Sequence, residues 1–276
     1  MKSEKKIKPN ELNELEEWSD RWLLRFHPDK CKHMHVGKQT ETIHKYSLNN
    51  KELETIEEEK DIGVTVDNKL TFESHLNLKV NKATRIFAML RRTFKYIDAK
   101  ALTNLYKTLV RTHLDYASSA WAPYKVKHIE KLESVLRKAT KQMPGMKELS
   151  YSERLKKLKL PTLSYRRLRG DLIEMYKLTN GIYDGDSNKI VKLWADVTDR
   201  TSKRGHSLKL FPHRANKDIR KNSYIVRTTP KWNSLPAFVA NAPSLNSFKN
   251  RLDNLYSKND IMYDNYKSDG KLQTKI

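Results

Sequence analysis

Cysteine is nearly absent: Cys31 stands alone among 276 residues. No internal disulfide can form, and the composition suits a reducing compartment. No apolar run approaches the ~18 residues that would span a bilayer. The opening Met1-Lys2-Ser3-Glu4-Lys5-Lys6 carries charge with no apolar segment behind it, so it is no secretory signal. Nucleus or cytoplasm is the expected location, without a membrane partner. Internal repeats and low-complexity tracts are missing as well. Apolar residues make up only 37% of the chain, below the ~45–50% usual with glycine included, so the core is expected to be thin or completed by other chain. Length allows one or two domains. Acidic residues are the minority, 33 against 55 Lys and Arg, which leaves a formal charge of +22. Such an excess repels itself unless anions lie against it, and nucleic acid is the commonest macromolecular anion. A solubilising Lys-rich surface is the plainer alternative.

The first third of the chain alternates between helix and short extended pieces. Asn10 can cap a helix whose Leu12, Leu15, Trp18 and Trp22 recur at helical spacing, with Leu23 widening the stripe. Phe26-His27-Pro28-Asp29 ends it, because proline lacks a donor and restricts its predecessor. Cys31 to Val36 then alternates as a half-buried strand, with Met34 and Val36 on one face and Cys31, His33 and His35 on the other. Between Ile43 and Leu70, Asn49-Asn50 reads as a hairpin turn and Asp61-Ile-Gly-Val-Thr-Val66 as a strand. Glu52, Glu54, Glu57, Glu58 and Glu59 form a solvated acidic cluster between them.

From Ser74 onward the pattern is helical. Leu76, Val80, Ala83, Phe87 and Leu90 make one apolar face, surrounded by Lys79, Lys82, Arg85, Arg91 and Arg92. A second helix after Asp98 carries Leu102, Leu105, Leu109 and His113. In a third, Ile129, Leu132, Leu136, Ala139 and Met143 line one side and Lys127, Lys131, Lys138 and Lys141 the other, until Pro144-Gly145 stops it. Ser150 and Glu153 make a capping box. Ser164 to Thr179 is a helix with Leu168, Leu172, Met175 and Tyr176 inward and Asn180-Gly181 as its C-cap. Arg200 to Lys221 is basic and weakly periodic, Trp232-Asn-Ser-Leu-Pro236 a packed turn, and Phe248, Leu252 and Leu255 mark a last helix after Pro243-Ser244. The sum is an α+β fold: a small mixed segment to about residue 75, then a mostly helical body.

Several of these stretches, in this order, resemble the reverse transcriptases of non-LTR retrotransposons of the Jockey or chicken-repeat-1 kind. They are Leu15-Glu-Glu-Trp-Ser-Asp-Arg-Trp-Leu-Leu-Arg-Phe-His-Pro-Asp-Lys-Cys-Lys-His-Met-His-Val-Gly37, Glu59-Lys-Asp-Ile-Gly-Val-Thr-Val-Asp67, Leu105-Tyr-Lys-Thr-Leu-Val-Arg111, Tyr165-Arg-Arg-Leu-Arg-Gly-Asp171, Thr201-Ser-Lys-Arg-Gly-His206, Trp232-Asn-Ser-Leu-Pro236 and Pro243-Ser-Leu-Asn-Ser-Phe-Lys249. The resemblance covers roughly Leu12 to Tyr256. It implies a partial palm over 1–75, a helical thumb over 76–181, and a basic segment and helical region over 182–257; the tail over 258–276 is polar, shows no family pattern and is expected to be disordered. It also implies that the palm's magnesium-binding Asp-Asp turn lies before the helix of Leu12–Leu23; no adjacent pair of aspartates occurs in this sequence. In-line phosphoryl transfer needs clustered carboxylates to hold two metals. The chain alone is therefore expected to polymerise nothing and to hold no cofactor, Mg2+ belonging to the complete polymerase. Lys30 matches a palm lysine proposed to protonate pyrophosphate, here without a reaction to assist. Asp61-Ile-Gly-Val64 matches the hairpin that grips a primer's 3′ end, with Gly63 admitting a close backbone approach. Lys79, Lys82, Arg85, Arg91, Arg92, Lys127, Lys131, Lys138 and Lys141 are the candidate phosphate contacts. Expected partners are RNA, DNA or an RNA–DNA heteroduplex, and an upstream palm-and-fingers segment. His27 departs from the asparagine usual in the family.

Other readings stay beside this one. Cys31, His33 and His35 suggest zinc to a motif search, but positions i and i+4 of a strand lie ~13 Å apart. Cys31 has no specified base to make it a nucleophile. Trp18, Trp22, Tyr106, Tyr116, Trp121 and Trp232 fit core positions, leaving Tyr46, Tyr124 and Tyr183 as exposed candidates. A non-catalytic nucleic-acid-binding module and a degenerate transposon remnant are the alternatives to a polymerase fragment.

Overall fold

In the computed structural model, residues 9–37, 45–183, 190–198, 205–258 and 261–263 are described. The readings that fall on 1–8, 38–44, 184–189, 199–204, 259–260 and 264–276 lie outside them. The chain divides into two compact units, Met1–His75 and Leu76–Ile276. Among the described residues the architecture is mostly helical with few strands, compatible with α+β, and no helix is long and apolar enough to cross a membrane.

The first unit opens with α1 (Pro9–Arg21), then a 3-10 turn (Pro28–Lys30). Among the described residues six short strands follow: β1 (Lys32–His33), β2 (Ser47–Leu48), β3 (Lys51–Glu52), β4 (Glu54–Thr55), β5 (Glu58–Asp61) and β6 (Val64–Asp67). They form three two-stranded ladders: β1 parallel to β4, β2 antiparallel to β3, and β5 antiparallel to β6. Asn49 and Asn50 both sit at positive φ, 50° and 59°, the twist that a two-residue hairpin turn requires. A second such turn lies at Ile62-Gly63, φ 43° and 78°. The stretch read as one strand from Asp61 to Val66 is thus a hairpin, and Gly63 is its turn residue. The strand expected from Cys31 to Val36 shrinks to Lys32–His33, with Val36 exposed. The acidic cluster is solvated, as expected. Asp67 accepts the backbone N–H groups of Lys69, Thr71 and Phe72 and the Thr71 hydroxyl, and these bonds hold its carboxyl below the usual range even against partial burial.

The stripe of α1 departs most from expectation. Leu15 and Trp18 are exposed, Trp22 is 63% and Leu23 84% exposed, and among the described side chains of that helix Ser19 is the buried one. Leu23 has φ 56° and ends the helix, while the Ser19 hydroxyl donates to the Leu24 carbonyl. Among the described residues of this unit only Leu48, Leu53 and Val64 are fully buried apolar side chains, a small core for its length.

Helix α2 (Glu73–Thr93) runs into the second unit, which continues with α3 (Ala99–Leu105), a π turn (Tyr106–Val110), α4 (Arg111–Asp115), α5 (Ser118–Trp121), α6 (Val126–Lys141), α7 (Tyr151–Leu158) and α8 (Leu163–Thr179). Beyond these come α9 (Trp194–Thr198), α10 (Asp218–Lys221), α11 (Tyr224–Asn233), α12 (Ala237–Ala240), α13 (Leu245–Lys258) and a 3-10 turn (Ile261–Tyr263). The apolar faces read for α2 and α6 are buried at every named position. Ser150 and Glu153 form the capping box of α7.

The second helix is the exception, and the π turn explains it. The buried apolar residues are Leu102, Tyr106, Val110 and Leu114, while Leu109 is exposed and His113 half-buried. Positions four apart drift ~40° around an α-helix; the wider π turn absorbs that drift and keeps all four on one side.

The C-terminal core gathers on α8. Leu168, Leu172, Met175 and Tyr176 pack with Trp232, Val239, Phe248 and Leu252. Tyr176 stacks on Phe248 with ring centroids 4.6 Å apart, and its hydroxyl donates to the Ala242 carbonyl. Residues 206–210 clip onto α11: Trp232 Nε1 donates to the Leu208 carbonyl, and Asn233 bonds both backbone groups of Leu210. Three of the stretches that carry the family resemblance therefore meet in one core. Ile261 is buried too, and the Met262 carbonyl accepts the Thr162 N–H, so order reaches past Lys258 into the stretch read as a disordered tail.

Candidate nucleic-acid interface

The charge is divided unevenly between the two units. Met1–His75 holds 13 Lys and Arg against 16 Asp and Glu, whereas Leu76–Ile276 holds 42 against 17. The whole excess, and more, belongs to the helical unit.

Many of its arginines are internally committed. On α8, Arg166 meets Asp115 at 2.7 Å, Arg169 grips Asp253 through two bonds at 2.6 and 2.8 Å, and Arg167 donates to the Ser164 hydroxyl. Asp171 on the same helix receives Arg227 of α11 at 3.1 and 3.0 Å. Tyr165 donates to Asp253 as well. The motif from Tyr165 to Asp171 thus works as a hub that ties α8 to α4, α11 and α13. Sequence reading missed this role; the available signal was the scarcity of acids, since an isolated Asp in so basic a region points to a dedicated partner. Glu133, fully buried on α6, accepts the Tyr151 hydroxyl and the Leu163 N–H. Burial pushes its carboxyl up despite those donors.

The lysines are placed differently. Lys127, Lys131, Lys138 and Lys141 are all exposed on α6. At ~100° per residue they fall within an arc of about 80°, opposite the buried Leu132 and Leu136. Lys131 donates to the Asn77 side chain, which brings this stripe beside the start of α2. On α2 the five basic residues do not make one track. Lys82, Arg85 and Arg92 are exposed, while Lys79 and Arg91 are half-buried, about 120° apart around the axis. Lys79 and Lys82 turn toward α4, where Lys79 Nζ lies 5.6 Å from the Tyr116 ring centroid. Burial, and then the nearby charges of Lys82 and Lys79, hold His113 below the usual imidazole range.

In the first unit Lys30 is exposed at the end of its 3-10 turn, beside an Asp29 that pairs with Lys51. Gly63 sits at the tip of the β5–β6 hairpin next to the exposed Ile62. The His33 and His35 rings meet edge to face at 5.3 Å and both lie against Tyr46, which is half-buried. His33 Nε2 is 3.0 Å from the Thr55 hydroxyl. Among the described residues no three His, Cys, Asp or Glu side chains are grouped to hold a metal. Of the aromatics read as core, Tyr106, Trp121 and Trp232 are buried, but Trp18, Trp22 and Tyr116 are exposed. Tyr124 and Tyr183 are exposed, as read.

No family model matches the chain, and no solved structure does. The sequence is similar to the RNA-directed DNA polymerase from mobile element jockey of Drosophila melanogaster, 23% identical over 137 residues that cover 49% of this chain and 15% of that polymerase. It is also similar to an uncharacterized protein of Caenorhabditis elegans, 25% identical over 126 residues, 45% of this chain and 64% of that protein. The matched region therefore spans less than two thirds of either relative. The first similarity supports an origin related to the reverse transcriptases of mobile elements.

Proposed function

We propose that this chain is the rear palm, thumb and following region of a non-LTR retrotransposon reverse transcriptase, and that its work is to hold template–primer by the phosphate backbone. The observation that carries this reading is the division of charge, with the excess confined to the helical unit and four exposed lysines aligned on α6. Aligned cations on a rigid helix read phosphate spacing and duplex shape and leave base order unread. Lys30 and the Gly63 hairpin belong to the same assignment, as a proton donor toward pyrophosphate and a 3′-end grip in the complete enzyme. Polymerisation is not expected from the chain alone, because the sequence offers no adjacent aspartates to hold paired metals; an upstream palm-and-fingers segment would supply them and their Mg2+.

The test is fluorescence anisotropy with a short RNA–DNA heteroduplex across a salt series. Log affinity should fall linearly with log salt, by about 0.7–0.9 per phosphate neutralised. Reversing Lys127, Lys131, Lys138 and Lys141 to Glu should flatten that slope by about three. No binding at low salt by a folded sample would remove the reading. Magnesium-dependent primer extension by the purified chain would contradict its catalytic half.

A further inference from the structure

One face of the second helix has no part in the core and is turned outward by the π turn. With Tyr106, Val110 and Leu114 held inward, Leu109, His113 and Tyr116 point away at successive spacings of four and three. Leu109 is exposed and Tyr116 is 48% exposed. Tyr116 is nonetheless held in place. Its N–H donates to the Thr112 carbonyl, its own carbonyl accepts Trp121 Nε1 at 2.8 Å, and Ala117 behind it adopts a left-handed φ of 50° that ends the helix. Trp121 itself is buried, so the ring is presented from a fixed backbone. The one acid on this helix end, Asp115, is already engaged by Arg111 and Arg166. Around the ring stand an exposed leucine, a half-buried imidazole, the half-buried Lys79, whose Nζ lies over the Tyr116 ring 5.6 Å from its centroid, and the exposed Lys82.

We propose that the stripe Leu109–His113–Tyr116, with Lys79 and Lys82 beside it, is a contact for an unpaired nucleic-acid strand. The Tyr116 ring takes the face of a base, and the two lysines take the phosphates that flank it. This rests on the nucleic-acid reading above and adds to it a non-electrostatic site on a different helix. Stacking on an aromatic is tolerant of base identity and requires a base free of its pairing partner, whereas lysines alone would serve duplex and single strand alike. Charge complementarity selects a polyanion over an apolar protein partner, because the leucine and tyrosine are bordered by cations. Single-turn π insertions concentrate at functional sites, and here the extra residue is what frees this face.

The experiment compares a heteroduplex carrying a single-stranded overhang with a blunt one, by anisotropy on the full chain. Tyr116→Ala should weaken overhang binding about tenfold with its salt slope unchanged, and leave blunt-duplex binding as it was. Tyr116→Phe should bind like the parent, because the ring and not the hydroxyl makes the contact. Lys82→Glu should lower the salt slope for the overhang by about one. Because Tyr116 is half-exposed, its alanine variant should melt with the parent, which circular dichroism would verify. Parental overhang affinity in Tyr116→Ala overturns the stripe while sparing the α6 reading. Absence of binding to either probe by the parent overturns both. Self-association lost in Tyr116→Ala, with nucleic-acid affinity intact, reassigns the stripe to a second copy of the chain.

Discussion

Asp171 and Arg227 illustrate how much of this protein's charge is turned inward. Their side chains are 10% and 18% exposed, and Arg227 also donates to the Ser119 carbonyl, so three helices meet at one guanidinium. Removing one partner of a buried pair strands the other, at a cost of about 3–5 kcal/mol. Asp171→Ala should therefore lower the melting temperature sharply, and Asp171→Ala with Arg227→Met should lose less than the sum of the two single changes, as a thermal-denaturation double-mutant cycle would measure. His206 makes a second residue-scale case. Its Nε2 lies 3.1 Å from the Trp232 carbonyl; a carbonyl only accepts, so Nε2 carries the proton. Among the described residues Nδ1 meets no partner. Burial, with Lys209 nearby, lowers its pKa. The unfolded chain then binds more protons than the folded one below an ordinary imidazole pKa of ~6.5. The stabilising contribution is complete above that value and is lost as pH falls through it toward the depressed folded pKa. Melts recorded from pH 7.5 down to 5 should show the decline, and His206→Gln should flatten it.

At the scale of elements, legibility followed how sharply each helix separates its faces. On α6, Leu132 and Leu136 lie opposite Lys131 and Lys138, and one register alone buries the leucines. Leu102, Leu105, Leu109 and His113 satisfied a helical pattern just as well as the true set, and a π turn leaves no mark in residue type, so the wrong face was read. The extra residue suggests a clean test. Deleting the exposed Thr108 converts the π turn to an α turn in which Leu102, Tyr106, Val110 and Leu114 still fall within an arc of about 60°. That deletion should leave a cooperative fold with parental helicity. Deleting Ser134 from the middle of α6 should not, because it rotates half of the core face by ~100°. Equal melting behaviour of the two deletions would count against the account of the π turn. For α1 the helix was legible and the burial was not: Leu15 and Trp18 lie on it exposed, and Trp22 and Leu23 fall in the turn past its end, where this unit does not cover them.

For the molecule as a whole, the segment after Gly181 is inseparable from the helices before it. Trp232, Phe248 and Leu252 are fully buried and cover the apolar side of α8. A chain stopped at residue 181 would leave Leu172, Met175 and Tyr176 bare. Such a chain should melt without cooperativity and bind an apolar dye, whereas the full chain should not; cooperative melting of the shortened chain would show that the later helices are dispensable. The uneven charge also belongs to this scale. The acidic β5–β6 hairpin and the basic helices lie on different units, so the first unit is expected to add little to the salt dependence of binding, and reversing Lys60 should leave the slope unchanged.

Residue order by itself determined the helical register of α2 and α6, the Asn49-Asn50 turn, the capping box at Ser150, the cationic excess and the absence of paired aspartates. Each is a local or compositional property, set by periodicity, by backbone preference or by a count. The packing of distant segments set which cations lie exposed, that Arg166, Arg169 and Arg227 pair with Asp115, Asp253 and Asp171, and that Tyr116 faces outward. Those outcomes depend on partners 51, 84 and 56 positions apart for the three pairs, and on a one-residue change of helical pitch, neither of which any local pattern records.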